Sequence, residues 1–122
     1  MKNLKKGVQI INCTPHPITF RGVQDVTYPV SGIIPRVSTV DTPDGLLPTV
    51  DWPLPLVKRT FGGVTGLPRR KAGTYLIVSA MVLSASASDR DDLIAPDTGA
   101  SAIRGDKGHI VAVIKFIAGG DK

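Results

Sequence analysis

The longest apolar stretch of the chain lies near its centre and predicts the middle of a small core. Thr74 to Val78 are β-branched, aromatic or aliphatic without polar alternation, which is typical of a strand buried on both faces. Ser79 offers a hydroxyl that can cap a helix, and the alanine-rich residues after it favour about two helical turns. One long strand to Ser84 is the alternative, which alanine disfavours. The pattern predicts a central strand followed by a short helix.

Short apolar segments on both sides of this stretch predict further strands. They cover residues 8–12, 18–20, 26–28, 36–40, 56–60, 93–95 and 110–117. Residues 18–20 and 26–28 are expected to pair as a hairpin, and Gly105–Gly108 is a good hairpin turn before the last strand. Because residues 110–117 are apolar almost throughout, we expect them near the sheet centre, beside Thr74–Val78.

Two segments predict loops. Asp41–Pro55 combines Asp-Thr-Pro-Asp-Gly turn chemistry with three further prolines, which indicates an irregular loop of about 15 residues. Phe61–Pro68 contains three glycines and indicates a turn.

Composition supports a β-rich, loop-rich chain. The 122 residues include thirteen glycines and ten prolines, and all ten acidic residues are aspartates, which favour turns and caps over helix interiors. The predicted fold is therefore a mainly β single domain over 1–122: a small sheet or partly closed barrel with one short helix. Residues 1–7 and 118–122 are expected to be frayed.

Charge and cysteine content narrow the function classes. The single Cys13 excludes an intrachain disulfide, and no apolar run is long enough for a signal peptide or a membrane span, so a cytoplasmic protein is expected. The net charge of +5 favours an anionic partner, although a modest positive charge with no binding role is an equal alternative. Nucleic-acid binding has no recognisable motif behind it.

The candidates for chemistry are weak. The glycines of 62–66, followed by Arg69, Arg70 and Lys71, could surround a phosphate, but a turn with solvated cations is the stronger interpretation. A cation site at Asp89, Asp91, Asp92 and Asp97 competes with a solvated turn, and Arg90 with Asp92 could be a structural ion pair.

An enzyme is also weakly supported. Cys13 and His16 lie three residues apart, so in an extended strand their side chains point to opposite faces. No acid–base pair, metal set or nucleophile arrangement stands out elsewhere, and we expect a protein that is not an enzyme and has no metal or cofactor.

Two motifs carry a resemblance to a known group. Asn12-Cys13-Thr14-Pro15-His16-Pro17-Ile18 resembles the opening N-L-T-P-H-x-[IV] of small proteins from bacteriophages, prophages and actinobacteria. Gly73–Ser79 and Arg90–Pro96 resemble the later G-T-Y-x-I-V-S and R-D-D-L motifs, and the resemblance extends from about residue 8 to 117. Cys13 departs from the usual leucine. The resemblance carries over no activity, but it implies a phage or prophage accessory protein that acts on its bacterial host.

The resemblance also implies candidate site residues. They are the polar residues of the shared motifs: Thr14, His16, Arg36, Arg90, Asp91, Asp92 and Arg104. The first expectation is a counter-defence protein that captures a small anionic, nucleotide-like ligand. The alternatives are an inhibitor that binds a host protein through Trp52 and Leu54 of the proline-rich loop, and a structural virion or assembly protein. Short sheet edges also suggest a homo-oligomer.

Overall fold

The computed structural model describes residues 7–86 and 90–119, and it is mainly β with one short helix, as predicted. The order of elements is β1 (Gln9–Asn12), β2 (Ile18–Arg21), β3 (Asp25–Tyr28), β4 (Arg36–Leu47), β5 (Leu54–Thr65), β6 (Thr74–Ile77), α1 (Ala80–Ser86), β7 (Leu93–Pro96), β8 (Ile103–Arg104), β9 (Ile110–Ala112) and β10 (Phe116–Ala118).

A four-stranded mixed sheet organises the body of the protein. Its order is β1-β6-β7-β10, with β1, β6 and β7 parallel and β10 antiparallel to β7. The predicted central strand is therefore confirmed at an inner position. Its burial is less complete than expected, because Tyr75 is exposed while Leu76, Ile77 and Val78 are buried.

The core lies where α1 covers this sheet. Ser79 begins the helix as predicted, because its Oγ accepts a hydrogen bond from the backbone N–H of Val82 at 3.2 Å. Val82 and Leu83 then face the sheet and pack in one buried cluster with Cys13, Leu76, Val78, Leu93 and Ala95. A helix of seven residues gains its stability from this packing rather than from its length.

The C-terminal strand differs from the prediction. Residues 110–117 are not one central strand: β9 pairs with β8, the chain bends at Ile114, and β10 occupies a sheet edge beside β7. The apolar run was misleading because Val111, Ile114 and Ile117 are all exposed. Ala118, expected to be frayed, pairs with Ile94, and the rest of the predicted frayed ends, apart from Gly7 and Gly119, lies outside the described residues.

The largest correction concerns the proline-rich segment. Asp41–Pro55 is not an irregular loop: β4 and β5 are twelve residues each and form one long antiparallel hairpin, from the Arg36↔Thr65 pair to the Leu47↔Leu54 pair. Proline is tolerated because each strand has a free edge where no ladder hydrogen bond is needed. Gly45, with φ of +84°, lies at a register shift between Pro43 and Leu46.

The glycine-rich turn predicted at Phe61–Pro68 is also wrong. Residues up to Thr65 continue β5, and the chain turns only at Gly66. A side chain at Gly62 would collide with the hydroxyl of Ser38 on β4, so close strand contact explains this glycine better than turn geometry does.

We call residues 36–65 the arm and residues 42–57, which include its tip, the outer arm. The described residues outside 36–65 form the body.

Candidate functional site

The predicted site residue Thr14 serves the fold. Its hydroxyl lies 2.7 Å from Oδ1 of Asn12 and 2.9 Å from the carbonyl oxygen of His16. Asn12 is buried and donates through Nδ2 to the carbonyls of His16 and Tyr28, at 2.8 and 2.9 Å. These bonds attach the end of β1 to the proline corner and to the β2–β3 hairpin. Within the N-x-T-P-H motif, the side chains of Asn12 and Thr14 therefore bond to each other and to the backbone carbonyl of His16.

His16 contributes its backbone, and its side chain is exposed. It lines a separate cavity of about 240 Å³ with Thr98 and residues 110–113. Arg104, from the same region, donates to the carbonyls of Gly108 at 2.7 Å and Thr98 at 3.4 Å, and so fastens its own hairpin.

The R-D-D-L motif forms a third group. Arg90 and Asp92 make a bidentate ion pair with both N···O distances at 2.9 Å, and their side chains are only 16% and 5% exposed. The hydrogen bonds from Arg90 hold the pKa of Asp92 below its ordinary value, although burial opposes this. Asp91 pairs instead with Arg70 at the surface, at 2.7 Å. The structural ion pair considered for Arg90 and Asp92 is present.

Arg36 differs from the other two predicted arginines. It lies at the base of the arm, and within residues 7–86 and 90–119 it makes neither an ion pair nor a side-chain hydrogen bond. With Thr14 it lines a cavity of about 310 Å³, the corner groove, which also includes Ser79 and Met81. The seven predicted residues thus lie in three separate places of the described chain, and Thr14 and Arg36 line one cavity together.

A larger groove adjoins the corner groove. We call it the arm groove; it has a volume of about 440 Å³ and is lined by Val37, Phe61, Ala80, Met81, Ser84 and Ala85. One wall is the base of the arm and the other is the exposed face of α1. Val37 and Met81 line both grooves, so the two form one continuous surface that is mostly apolar and carries the cation of Arg36 at one end.

The outer arm exposes apolar side chains on both faces. Paired residues of antiparallel strands share a face, so Leu46 with Pro55 and Leu47 with Leu54 lie on opposite faces. Between Val40 and Phe61, nine large apolar residues are exposed: Val40, Leu46, Leu47, Val50, Trp52, Leu54, Leu56, Val57 and Phe61. The body of the protein covers neither face of the outer arm, and large exposed apolar surfaces of this kind are typical of contact elements.

The tip of the arm presents Trp52 on a fixed turn. The hydroxyl of Thr49 donates to the carbonyl of Trp52 at 2.6 Å and accepts from the backbone N–H groups of Asp51 and Trp52, both at 3.1 Å. The indole is 69% exposed. Because the turn is already ordered, docking of Trp52 would cost little further backbone entropy.

An exposed ion pair joins the two strands in the middle of the arm. Arg59 donates through Nε and Nη2 to the two carboxylate oxygens of Asp41, at 2.7 and 2.8 Å, and these bonds lower the pKa of Asp41. Beyond this pair, residues 42–58 hold two aspartates and one basic residue, Lys58, which pairs with Thr42 next to Arg59. The tip beyond Lys58 is therefore acidic and apolar on an otherwise basic protein.

The remaining sequence candidates have structural explanations. Residues 62–65 of the phosphate-binding hypothesis lie in β5 rather than in a loop. Asp97 accepts from the backbone N–H of Gly99, Asp89 lies outside the described residues, and no group of three potential metal ligands occurs in the described part of the chain. Cys13 is buried, which raises the pKa of its thiol.

Sequence reasoning named Trp52 and Leu54 but missed Thr49, Phe61 and Met81. The signal that could have identified the hairpin is that segments 36–47 and 54–65 can pair on either side of the turn at 48–53. The prolines in these segments argued against strands, and the hairpin was therefore missed.

Comparisons with known proteins add no assignment. No family model matches the chain, and neither the curated proteins nor the solved structures contain a significant match. No described helix is long and apolar enough to cross a membrane.

Proposed function

We propose that this protein is a non-enzymatic protein-binding module and that the arm is its contact element. The observation that carries the proposal is Trp52, exposed at the end of the arm on a turn that Thr49 has already ordered. Binding energy at protein interfaces concentrates in a few aromatic and arginine anchors, and a rigidly presented indole is such an anchor. A partner would supply the apolar cover that the outer arm lacks.

The physical cost of the arm supports this function. A two-stranded hairpin is at best marginally stable alone in water, and an apolar edge that stays open invites aggregation. The β4–β5 pairing continues along the arm without burying its apolar residues, and the exposed Asp41–Arg59 pair adds little stability of its own. A partner surface that covers the outer arm best explains why so many apolar groups stay exposed.

The test uses a photo-crosslinking amino acid in the protein expressed in bacterial cells. It replaces Val50, which is fully exposed near Trp52 at the tip of the arm, in one protein and Val23, which is fully exposed on the β2–β3 turn of the body, in the control. We expect a discrete crosslinked product from position 50 that is lost when Trp52→Ala is added to the same chain, and no such product from position 23. Equal labelling from both positions, or a product that Trp52→Ala leaves unchanged, would refute the proposal.

Capture of a small anionic ligand remains a second candidate. Arg36 favours it, since this arginine is exposed, has no partner among the described side chains and shares a cavity with Thr14. Arg90 does not favour it because Asp92 neutralises its charge, and Arg104, although exposed, already donates to two backbone carbonyls of its own hairpin.

Calorimetric titration with adenosine diphosphate and with inorganic phosphate tests this candidate. The matched variants are Arg36→Ala and Arg69→Ala, which remove the same charge at the groove and in the basic stretch 69–71. Binding that Arg36→Ala abolishes and Arg69→Ala retains supports capture at the corner groove. No heat with either probe, or equal loss in both variants, counts against it. The phage counter-defence role and the host partner remain predictions.

A further inference from the structure

We infer that the partner of the arm is a second copy of this chain, whose arm groove receives Trp52. This inference rests on the proposed function, because it identifies the occupant of the same contact element. The chain carries two complementary surfaces: an apolar anchor at the end of the arm, and an open apolar groove at its base.

The arm cannot fill the groove of its own copy. A continuous hairpin separates the Leu47↔Leu54 pair from the Arg36↔Thr65 pair, a length of roughly 35 Å at the usual rise of a strand. The exposure of Trp52 agrees with this, since the indole has little contact with its own body. In two copies related by a two-fold axis, antiparallel arms would place each tip at the base of the other, and both contacts would form at once.

Size and chemistry match at this contact. The arm groove, at about 440 Å³, is in the size range of small-molecule pockets and so has room for one indole, and its apolar walls of Val37, Phe61 and Met81 suit that ring. Phe61 and Met81 also supply aromatic and thioether contacts of the kind that favour a tryptophan.

Charge is complementary as well. The tip of the arm carries Asp44 and Asp51, and the nearest basic residue on the hairpin is Lys58, which pairs with Thr42. The groove surface carries the cation of Arg36, and the chain outside the outer arm has a clear basic excess. Asp51 directly precedes Trp52, so an indole in the arm groove brings this carboxylate toward Arg36 of the second copy. The same complementarity disfavours arms that meet tip to tip, because their aspartates would repel.

Sedimentation equilibrium tests the inference with matched variants. Wild-type protein should form a dimer, Trp52→Ala should weaken it by at least about thirtyfold, and Val23→Ala, an exposed apolar truncation on the body, should leave it unchanged. Ala85→Trp, at an exposed position on α1, should weaken the dimer equally, because it fills the groove without altering the arm.

A charge exchange tests the orientation. Asp51→Arg should weaken the dimer by about tenfold, and Arg36→Asp in the same chain should restore most of that loss. Circular dichroism of each variant controls for folding. A monomeric wild type at the highest concentration, or a dimer that neither Trp52→Ala nor Ala85→Trp weakens, overturns the inference.

The outcomes separate this inference from the proposed function. If wild-type protein is monomeric but the crosslinker at position 50 still labels a different protein, and Trp52→Ala abolishes this labelling, self-association is wrong and protein binding by the arm stands. If it is monomeric and position 50 gives no product that depends on Trp52, both fail. A crosslink from position 50 to residues 80–86 of a second copy supports both.

Discussion

Two adjacent aspartates provide the sharpest test of how this protein uses its charged motif. Asp92 is buried and forms a bidentate ion pair with Arg90. Asp91 pairs with Arg70 at the surface, and the side chains of that pair are both more than half exposed. Asp92→Asn and Asp91→Asn therefore remove the same charge one residue apart, in opposite environments.

The expected magnitudes differ clearly. Removal of one partner from a buried ion pair costs about 3–5 kcal/mol, because the remaining charge stays desolvated, and asparagine can still accept one bond, so we expect about 3 kcal/mol for Asp92→Asn. An exposed pair contributes about 0–1 kcal/mol, which sets the expectation for Asp91→Asn. For a domain with a free energy of unfolding of about 5–15 kcal/mol, the first change is large and the second is small.

The pH dependence of the free energy of unfolding tests the same ion pair independently. Arg90, and more weakly Arg70, lower the pKa of Asp92 in the folded protein, while the unfolded value is about 3.9. The pair therefore stabilises fully above the unfolded pKa, and this stabilisation is lost as the pH falls through the lower folded pKa. Asp92→Asn lacks this dependence, so its deficit relative to wild type should shrink in acid.

Urea denaturation followed by far-ultraviolet circular dichroism, at constant ionic strength from pH 7 to pH 3, measures both effects. Trp52 fluorescence is unsuitable because the indole is exposed before unfolding. If the two variants differ by less than about 0.5 kcal/mol at neutral pH, the buried pair is not a stabilising element. A deficit of Asp92→Asn that is constant with pH would contradict the assigned pKa shift.

Four further predictions follow from the body and the tip. Asn12→Ala should destabilise by about 3 kcal/mol in the same urea assay, because it removes the three hydrogen bonds by which this buried amide holds the backbone of Thr14, His16 and Tyr28, while Gln9→Ala on the same strand should cost less than about 0.5 kcal/mol. Leu93→Ala, which truncates a buried core residue, should cost about 2–5 kcal/mol. The Cys13 thiol should react with an aromatic disulfide reagent only after urea is added, since burial keeps it protonated and inaccessible. Thr49→Val should weaken the dimer in sedimentation without lowering the free energy of unfolding by more than about 1 kcal/mol.

The body could be predicted because its local signals agree with its packing. The β-branched run before Ser79 and the alanines after it specify β6 and α1, and the residue types alone carry that information. Asp97 also follows local chemistry, because its carboxylate accepts a bond from the backbone N–H of Gly99, as aspartate does in turns.

The arm could not be predicted from local signals, because an exposed hairpin violates them. Pro43 and Pro55 disfavour a strand in a sheet interior, yet here each strand has a free edge. The last strand failed for the opposite reason: its apolar residues suggested a central position, but Val111 and Ile117 face outward. Burial is decided by which elements meet, and that was not visible along residues 110–117.

The polar motifs stabilise the body of this protein, whereas the arm carries its exposed apolar surface. Asn12, Thr14, Arg90 and Asp92 are polar residues that make bonds inside the body, so the N-x-T-P-H and R-D-D-L motifs specify the scaffold. Residues 37–65 lie outside those motifs and hold the exposed aromatic and apolar groups. A protein that shares the motifs should therefore share the body but not necessarily the partner. Exchange of the outer arm between two such proteins should transfer the binding preference and leave the unfolding free energy of the body unchanged, whereas a preference that stays with the body would place recognition at Arg36 and the corner groove.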